Sequence, residues 1–254
     1  MNLLSMAGVF ETLKELASSG GADFSIKYLT DFTLFGQKLS ITTTHISLFI
    51  VTMVLVIFAI CANKCIANAK EIPGYFQNFV ELIVEMLDNM VDGVMGKNAK
   101  RFVNYISAVF IFILVCNISG LFGLRAPTAD YGVTLPLALI TFVLIHYNGF
   151  KYEKAGHVTK LFQPVLLTPI NIIGEVATPL SMSLRLFGNI LSGTVMMGLL
   201  YGLIPKLIQA FLWPVFGVLH VYFDVFSGAI QAYVFCMLTM VFIAQNFPED
   251  EVQG

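Results

Sequence analysis

The stretch 165–204, VLLTPINIIGEVATPLSMSLRLFGNILSGTVMMGLLYGLI, is an apolar run of forty residues whose two formal charges are Glu175 and Arg185. A helix of this length is about 60 Å long, whereas the hydrocarbon core of a bilayer is roughly 30 Å thick. A second apolar run of similar length, 207–246, follows almost directly. Neither run has a polar turn near its midpoint. We therefore predict a long, strongly tilted C-terminal helical hairpin rather than four short spans.

The composition of the whole chain agrees with a membrane location. Of its 254 residues 57% are hydrophobic and 12% are charged, and the mean hydropathy is +0.81. Soluble domains are about 25% charged, so these values indicate a polytopic membrane protein. The net charge of −2 excludes a basic nucleic-acid surface. No phosphate-binding glycine loop or metal-ligand cluster appears, so we expect neither cofactor nor metal.

The four cysteines lie in or beside apolar runs and form no CxxC pair, which predicts free thiols. The first forty residues lack the pattern of a signal or transit peptide, so we expect no segment to be removed. This N-terminal segment, 1–40, is predicted to be extramembrane. Residues 41–254 are predicted to form a single all-α membrane domain with spans at about 42–62, 102–124 and 131–150, followed by the hairpin.

The loop between the first two spans predicts the orientation. It carries five basic residues, Lys64, Lys70, Lys97, Lys100 and Arg101, against three lysines in the whole preceding segment. The positive-inside rule then places this loop in the cytoplasm, the N-terminus outside and the C-terminus in the cytoplasm. Within the loop, helical spacing predicts an amphipathic helix with an acidic stripe, which is either a solvated face or a docking surface. The stripe contains Glu81, Glu85, Asp88 and Asp92.

Polar residues in both long runs recur on one helix face. In the first run they are Asn171, Glu175, Thr178, Ser181, Arg185, Asn189 and Ser192, and in the second His220, Asp224, Ser227 and Gln231. Folding the runs back on each other predicts that position 185 is level with about 225, and that the two stripes form one polar seam. The hydroxyl groups are expected to satisfy one another between helices. Arg185 and Asp224 are predicted to be functional, because a charge within a span is costly.

Two blocks of the chain carry a resemblance to a known family. The blocks are PLSMSLRLFGNILSG at 179–193 and IQAYVFCMLTMVFIA at 230–244, and together they resemble the a subunit of the F-type rotary ATP synthase. The match extends more weakly to PTADYGVTLPLAL at 127–139 and to the order of spans. The resemblance implies a stator in the bilayer that lies against the ring of c subunits, with peripheral-stalk b subunits and the remainder of the synthase as partners. Such a subunit is not an enzyme on its own.

The resemblance also implies roles for particular residues. The family's essential arginine falls on Arg185, its nearby asparagine on Asn189 and its C-terminal glutamine on Gln231. Asp224 occupies a position that is acidic or histidine in relatives, while Thr194 stands where some relatives carry glutamate. Our hypothesis is that ions enter through an outer half-channel, load onto the ring and leave through an inner half-channel near Glu175. The proposed outer lining contains Asp224, Gln231, His220 and Asn117.

Two other classes of protein fit the sequence less well. A self-contained secondary ion transporter or channel would have its own midplane site, but the long runs show no inverted repeat and no half-helices broken by paired Gly and Pro. A polytopic enzyme is supported by no nucleophile–base pair or metal motif. Protons are the expected coupled ion, with sodium as the alternative. The expected location is a bacterial plasma membrane rather than an organelle membrane.

Overall fold

The computed structural model describes residues 28–34, 37–68, 74–153, 156, 168–204 and 206–247. Residues 1–27 of the N-terminal segment and Pro205 at the junction of the two long runs lie outside this part. The described end of the N-terminal segment is an antiparallel hairpin of two strands, β1 (Tyr28–Leu34) and β2 (Gln37–Thr42). This hairpin leads directly into the first membrane helix.

Four helices precede the long hairpin. They are α1 (Thr43–Ala67), α2 (Tyr75–Met95), α3 (Ala99–Ile118) and α4 (Tyr131–Glu153). A 3₁₀ turn at Ser119–Phe122 ends α3, and a second one at Pro127–Ala129 leads into α4. The connection from α3 to α4 is therefore short, and these two spans run antiparallel, with a 3.2 Å hydrogen bond between the hydroxyl groups of Tyr105 and Thr141.

The two long runs form helices of the predicted kind. The first is α5 (Thr168–Leu203), whose 36 residues correspond to about 54 Å. The second begins as α6 (Lys206–His220), continues through a π-helical segment (Val221–Ser227) and ends as α7 (Gly228–Ala244). Short π-helical segments are rare in proteins, and many of those that occur lie at functional sites. Hydrophobic periodicity alone does not reveal a wider helical turn, so the sequence did not predict this segment.

Within the described residues, five helices are long and apolar enough to cross a membrane. They are Thr43–Ala67, Ala99–Phe122, Tyr131–Tyr152, Thr168–Gly202 and Phe211–Ala244. The predicted class, an all-α polytopic membrane protein, is confirmed for this domain, and the short β-hairpin is an addition before it.

The core lies where α2, α3 and α7 pack together. Its fully buried side chains include Val91 and Met95 from α2, Ile106 and Ile113 from α3, and Cys236, Met240 and Ile243 from α7. The opposite face of α2 is exposed and carries the acidic stripe, as its amphipathic pattern predicted. All four cysteines are free thiols, as predicted. The long hairpin is thus anchored to the bundle through α7 and through the packing of α5 on α4, while the other faces of α5 and α6 point outward.

Candidate functional site: a polar seam along the helical hairpin

Arg185 lies at the middle of α5, 17 residues from Thr168 and 18 from Leu203. Its side chain is exposed on the outer surface of the bundle, whereas the neighbouring Ser183 and Leu186 are buried against other helices. Among the residues that the structure describes, none forms an ion pair or hydrogen bond with the guanidinium group. The centre of the hairpin therefore presents an unneutralised positive charge outward.

The polar stripes of the two long helices meet in one seam, as predicted. The Ser227 hydroxyl donates a hydrogen bond of 2.7 Å to Asn189 Oδ1. The Asn189 amide nitrogen is buried and has no hydrogen-bond partner among the described residues. Close to this contact, a Cβ atom at Gly193 would lie 3.4 Å from Cβ of Phe223, so the two backbones approach closely there. These contacts define the register of the hairpin.

This register corrects the predicted depth of Arg185. In two antiparallel helices, residues at the same level have numbers with a constant sum. This sum is 416 both for Asn189 with Ser227 and for Gly193 with Phe223. One helical turn beyond the first contact, Arg185 is therefore level with Gln231 and not with residue 225. Asp224 is level with residue 192, which is about 10 Å farther along α5. The prediction assumed a symmetrical fold about Pro205, and the actual register differs by six residues.

Asp224 belongs to a chain of three polar side chains. Its Oδ2 lies 3.2 Å from Nδ1 of His220, one turn earlier, and His220 Nε2 lies 3.0 Å from the hydroxyl of Tyr201 on α5. The ring of Tyr201 also packs on Phe216, with 4.9 Å between centroids. His220 is thus oriented through both nitrogens, and the imidazole can pass a proton to the carboxylate of Asp224.

An open cavity of about 700 Å³ adjoins this chain of side chains. It lies between the start of α1, the turn after α3, the C-terminal half of α5 and the π-helical segment. The ionisable and polar residues in its lining are Thr43, Ser47, Arg125, Thr194, Tyr201, His220 and Asp224. Gly120 completes the wall beside the carboxylate, because a Cβ atom there would lie 3.5 Å from Asp224 Cγ. The backbone of Gly120 therefore lies close beside the Asp224 carboxylate, and both residues line the cavity.

Glu175 has a partner on α4 that the sequence did not predict. Its Oε2 lies 3.5 Å from Nε2 of His146 on α4, and both side chains are partly exposed. His146 Nδ1 lies 3.0 Å from the carbonyl oxygen of Phe142. Glu175 is ten residues before Arg185, whereas Asp224 is level with a residue seven positions after it. Arg185 therefore lies between two histidine–carboxylate pairs.

Asn117 is buried in the bundle, and both the nitrogen and the oxygen of its side-chain amide form hydrogen bonds. It is 1% exposed, its Nδ2 donates a 2.9 Å hydrogen bond to the Gly228 carbonyl, and its Oδ1 accepts one of 2.7 Å from Thr128. These bonds tie α3 to the start of α7 and to the turn before α4. The geometry gives Asn117 a positioning role beneath the π-helical segment. Its predicted place in the ion path stays a prediction.

We expect Gly228→Ala to destabilise the protein. A Cβ atom at Gly228 would lie 2.8 Å from Cβ of Asn117, so one of the two helices must shift. Overpacking of this kind costs about 1–3 kcal/mol and lowers Tm, measured by heating the purified protein in detergent. The matched control is Gly217→Ala, because nothing lies within 4 Å of the Cβ position at Gly217. Equal Tm values for the two variants would contradict the close contact.

Three residues of the site were missed by sequence reasoning: Arg125, His146 and Tyr201. Arg125 and Tyr201 stand at the ends of apolar runs, where charged and aromatic residues are common. His146 lies inside the predicted span 131–150, and an ionisable residue within a span is a functional candidate by itself. That signal was available, but its partner Glu175 is 29 residues away on another helix. Only the packing of α4 on α5 joins them.

The fold and this seam define a polytopic membrane protein in which a helical hairpin carries a central arginine between ionisable pairs. A family model described as ATP synthase A chain matches residues 45–244, which is most of the chain. The chain belongs to the ATP synthase A chain family. The resemblance based on the arginine and glutamine blocks is thereby confirmed.

Individual relatives agree with the family match. The sodium ion specific ATP synthase subunit a of Propionigenium modestum is 36% identical over 83% of this chain and 76% of its own length. The ATP synthase subunit a of Priestia megaterium is 34% identical over 84% of this chain and 96% of its own. The chloroplastic subunit a of Stigeoclonium helveticum is 34% identical over 76% and 79%. The similarity therefore covers nearly the whole membrane domain.

Proposed function

We propose that this chain is the stator a subunit of a rotary F-type ATP synthase, which passes protons to and from a ring of c subunits through two half-channels. The observation that carries the proposal is the outward-facing Arg185 at the middle of α5, which has no ion-pair or hydrogen-bond partner among the residues that the structure describes. Ionisable side chains inside a membrane almost always face a protein interior or a water-filled cavity. Arg185 on the surface of this chain therefore requires a partner that covers it.

The chemistry of the arginine indicates what that partner offers. A guanidinium group keeps its charge in proteins and favours a carboxylate as its counter-ion. Each ring subunit that brings a carboxylate past Arg185 would find its ionised form stabilised there. The same fixed charge repels a proton that would otherwise cross directly between the half-channels. A ring of carboxylates thus suits this surface better than lipid does.

The outer half-channel is assigned to the cavity beside Asp224. Its polar lining and its connection to His220 and Tyr201 support a proton path toward the ring. Gln231, level with Arg185, and Asn189 at the Ser227 contact extend the polar seam toward the ring face. The cavity adjoins the start of α1 and the end of α5. With the orientation expected from the positive-inside rule, that side is outside the cytoplasm.

The inner half-channel is assigned to the side of Glu175. This residue lies near the start of α5, at the end of the bundle opposite the cavity. Protons that have travelled with the ring leave there. Histidine–carboxylate pairs on both sides of Arg185 favour protons as the coupled ion, because imidazole binds and releases protons near neutral pH. We further propose a bacterial plasma membrane as the location and b subunits as peripheral-stalk partners.

The proposed function is tested by reconstitution in liposomes. The complete complex should acidify the vesicles on addition of ATP in sodium-free buffer, whereas the purified chain alone should conduct no protons, because the ring carries them between the half-channels. Ion flux through the chain alone would identify a self-contained transporter or channel instead. A requirement for sodium would keep the stator assignment and change the ion.

A further inference from the structure

We propose that His146 and Glu175 form a one-proton site on the inner side of Arg185, with His146 as the proton-binding base. The inference rests on the proposed function of the chain as a stator subunit, and it adds to the inner half-channel a residue of α4 that carries the proton. It follows from the geometry of the two side chains, from their position in the bundle and from the hydroxyl groups between them and Arg185.

The hydrogen bonds of His146 determine how it meets Glu175. The carbonyl oxygen of Phe142 can only accept a hydrogen bond, so the His146 Nδ1 atom 3.0 Å from it carries a hydrogen. In the neutral imidazole, Nε2 is then an acceptor, and it faces the Glu175 carboxylate oxygen at 3.5 Å. Two acceptors repel each other unless a proton lies between them. A proton on Nε2 would lie between the two side chains and be donated to the Glu175 oxygen, so the pair can hold one proton.

The pair lies within the membrane region but close to one side of it. His146 is seven residues before the end of α4, and Glu175 is seven residues after the start of α5. Both are therefore about 10 Å inside their helix ends. In this chain 22% of the His146 side chain and 38% of the Glu175 side chain are exposed. The pair is thus open on the surface of this chain, near the end of the bundle that the expected orientation places on the cytoplasmic side.

Two hydroxyl groups lie between the pair and Arg185 on the same stripe of α5. Thr178 is three residues after Glu175 and Ser181 is six residues after it, and Ser181 is exposed like Arg185. The Thr178 hydroxyl is held by the Gly174 carbonyl, 3.0 Å away. The distance from Glu175 to Arg185 is about 15 Å along the axis. These hydroxyls, with water, form a polar route over that distance.

The transfer balances as a simple proton exchange. A carboxylic acid on a ring subunit gives its proton to the pair, becomes a carboxylate and is stabilised by Arg185. The lone pair of His146 Nε2 binds the proton, so the imidazole becomes an imidazolium that donates to the Glu175 carboxylate. The imidazolium then gives the proton to water and returns to the neutral form. When ATP hydrolysis drives the complex, the same exchange runs in reverse.

The inference is tested with His146→Ala in the complete complex, by measuring ATP hydrolysis in vesicles whose proton gradient is collapsed with a protonophore. We expect turnover to fall at least about tenfold, because a positioned proton donor and acceptor is lost. Added imidazole should raise the rate of the His146→Ala complex several-fold, since it can occupy the space of the missing ring. The matched control is Tyr147→Phe, because Tyr147 is the next residue on α4 and its side chain is exposed. Its rate should stay unchanged with or without imidazole.

A double variant separates one shared site from two independent ones. Glu175→Gln should slow hydrolysis, and His146→Ala with Glu175→Gln should be no slower than the slower single variant. Three results would each overturn the one-proton site. The first is a double variant whose slowing equals the product of the two single effects. The others are an unchanged rate in His146→Ala and a slower rate in that variant that imidazole does not restore. Arg185→Ala distinguishes these outcomes from failure of the stator function. If Arg185→Ala abolishes pumping while His146→Ala behaves like the parent, the function stands and the role of His146 is wrong.

Discussion

Arg185→Ala is expected to abolish ATP-driven proton pumping in complexes that still assemble. An adjacent positive charge changes the balance between a carboxylic acid and its carboxylate by roughly 10- to 1,000-fold. Without it, ring carboxylates keep their protons as they pass the stator, and protons can also leak directly between the half-channels. Pumping is measured by acidification of inverted membrane vesicles, and assembly by co-purification of the other subunits.

Two further variants sharpen this prediction. Arg185→Lys should also fail largely, because a desolvated lysine can lose its proton and lacks the planar fork of the guanidinium. Arg101→Ala is the matched control, since Arg101 is an exposed arginine at the start of α3 that stacks on Phe102 and contacts the Tyr152 hydroxyl. It should pump normally. Normal pumping by Arg185→Ala would remove the arginine from the mechanism and with it the stator assignment.

Asp224→Asn is expected to slow proton transport without preventing assembly. Asparagine keeps the size of the side chain but cannot take up a proton, and it weakens the charge-assisted bond to His220, which is 3.2 Å away. Loss of one hydrogen bond to a charged group is worth about 1.5–3 kcal/mol, which corresponds to roughly a 10- to 150-fold change in rate. The measurement is ATP synthesis at a series of imposed proton-motive forces.

Tyr222→Phe is the control for this experiment. Tyr222 belongs to the same π-helical segment, its side chain is exposed, and its ring stacks on Phe226. Removal of its hydroxyl leaves the cavity lining unchanged, so its rates should match those of the parent complex. If Asp224→Asn also matched the parent at every proton-motive force, Asp224 would not lie on the path. His220 and Tyr201 would then have a structural role only.

Much of the site was predictable because its signals are local. Arg185, Asn189 and Glu175 recur at helical spacing within one apolar run, and a charge in such a run is conspicuous wherever the helix packs. The Asn189–Ser227 hydrogen bond confirms that the two polar stripes meet. His146 was missed because it is the only histidine in its span, and its significance depends on a contact with another helix.

The sequence by itself determined the class of protein, the number of long apolar helices and the polar stripes, because each depends on composition or on periodicity along one helix. The family followed from the resemblance of the arginine and glutamine blocks to known relatives. The tertiary structure decided the register that brings Arg185 level with Gln231, the π-helical turn that carries Asp224 and the pairing of His146 with Glu175. It also decided that Arg185 faces outward. These features depend on how side chains such as Asn117 and Phe223 fit against glycines of neighbouring segments, and hydrophobic periodicity contains no information about that fit.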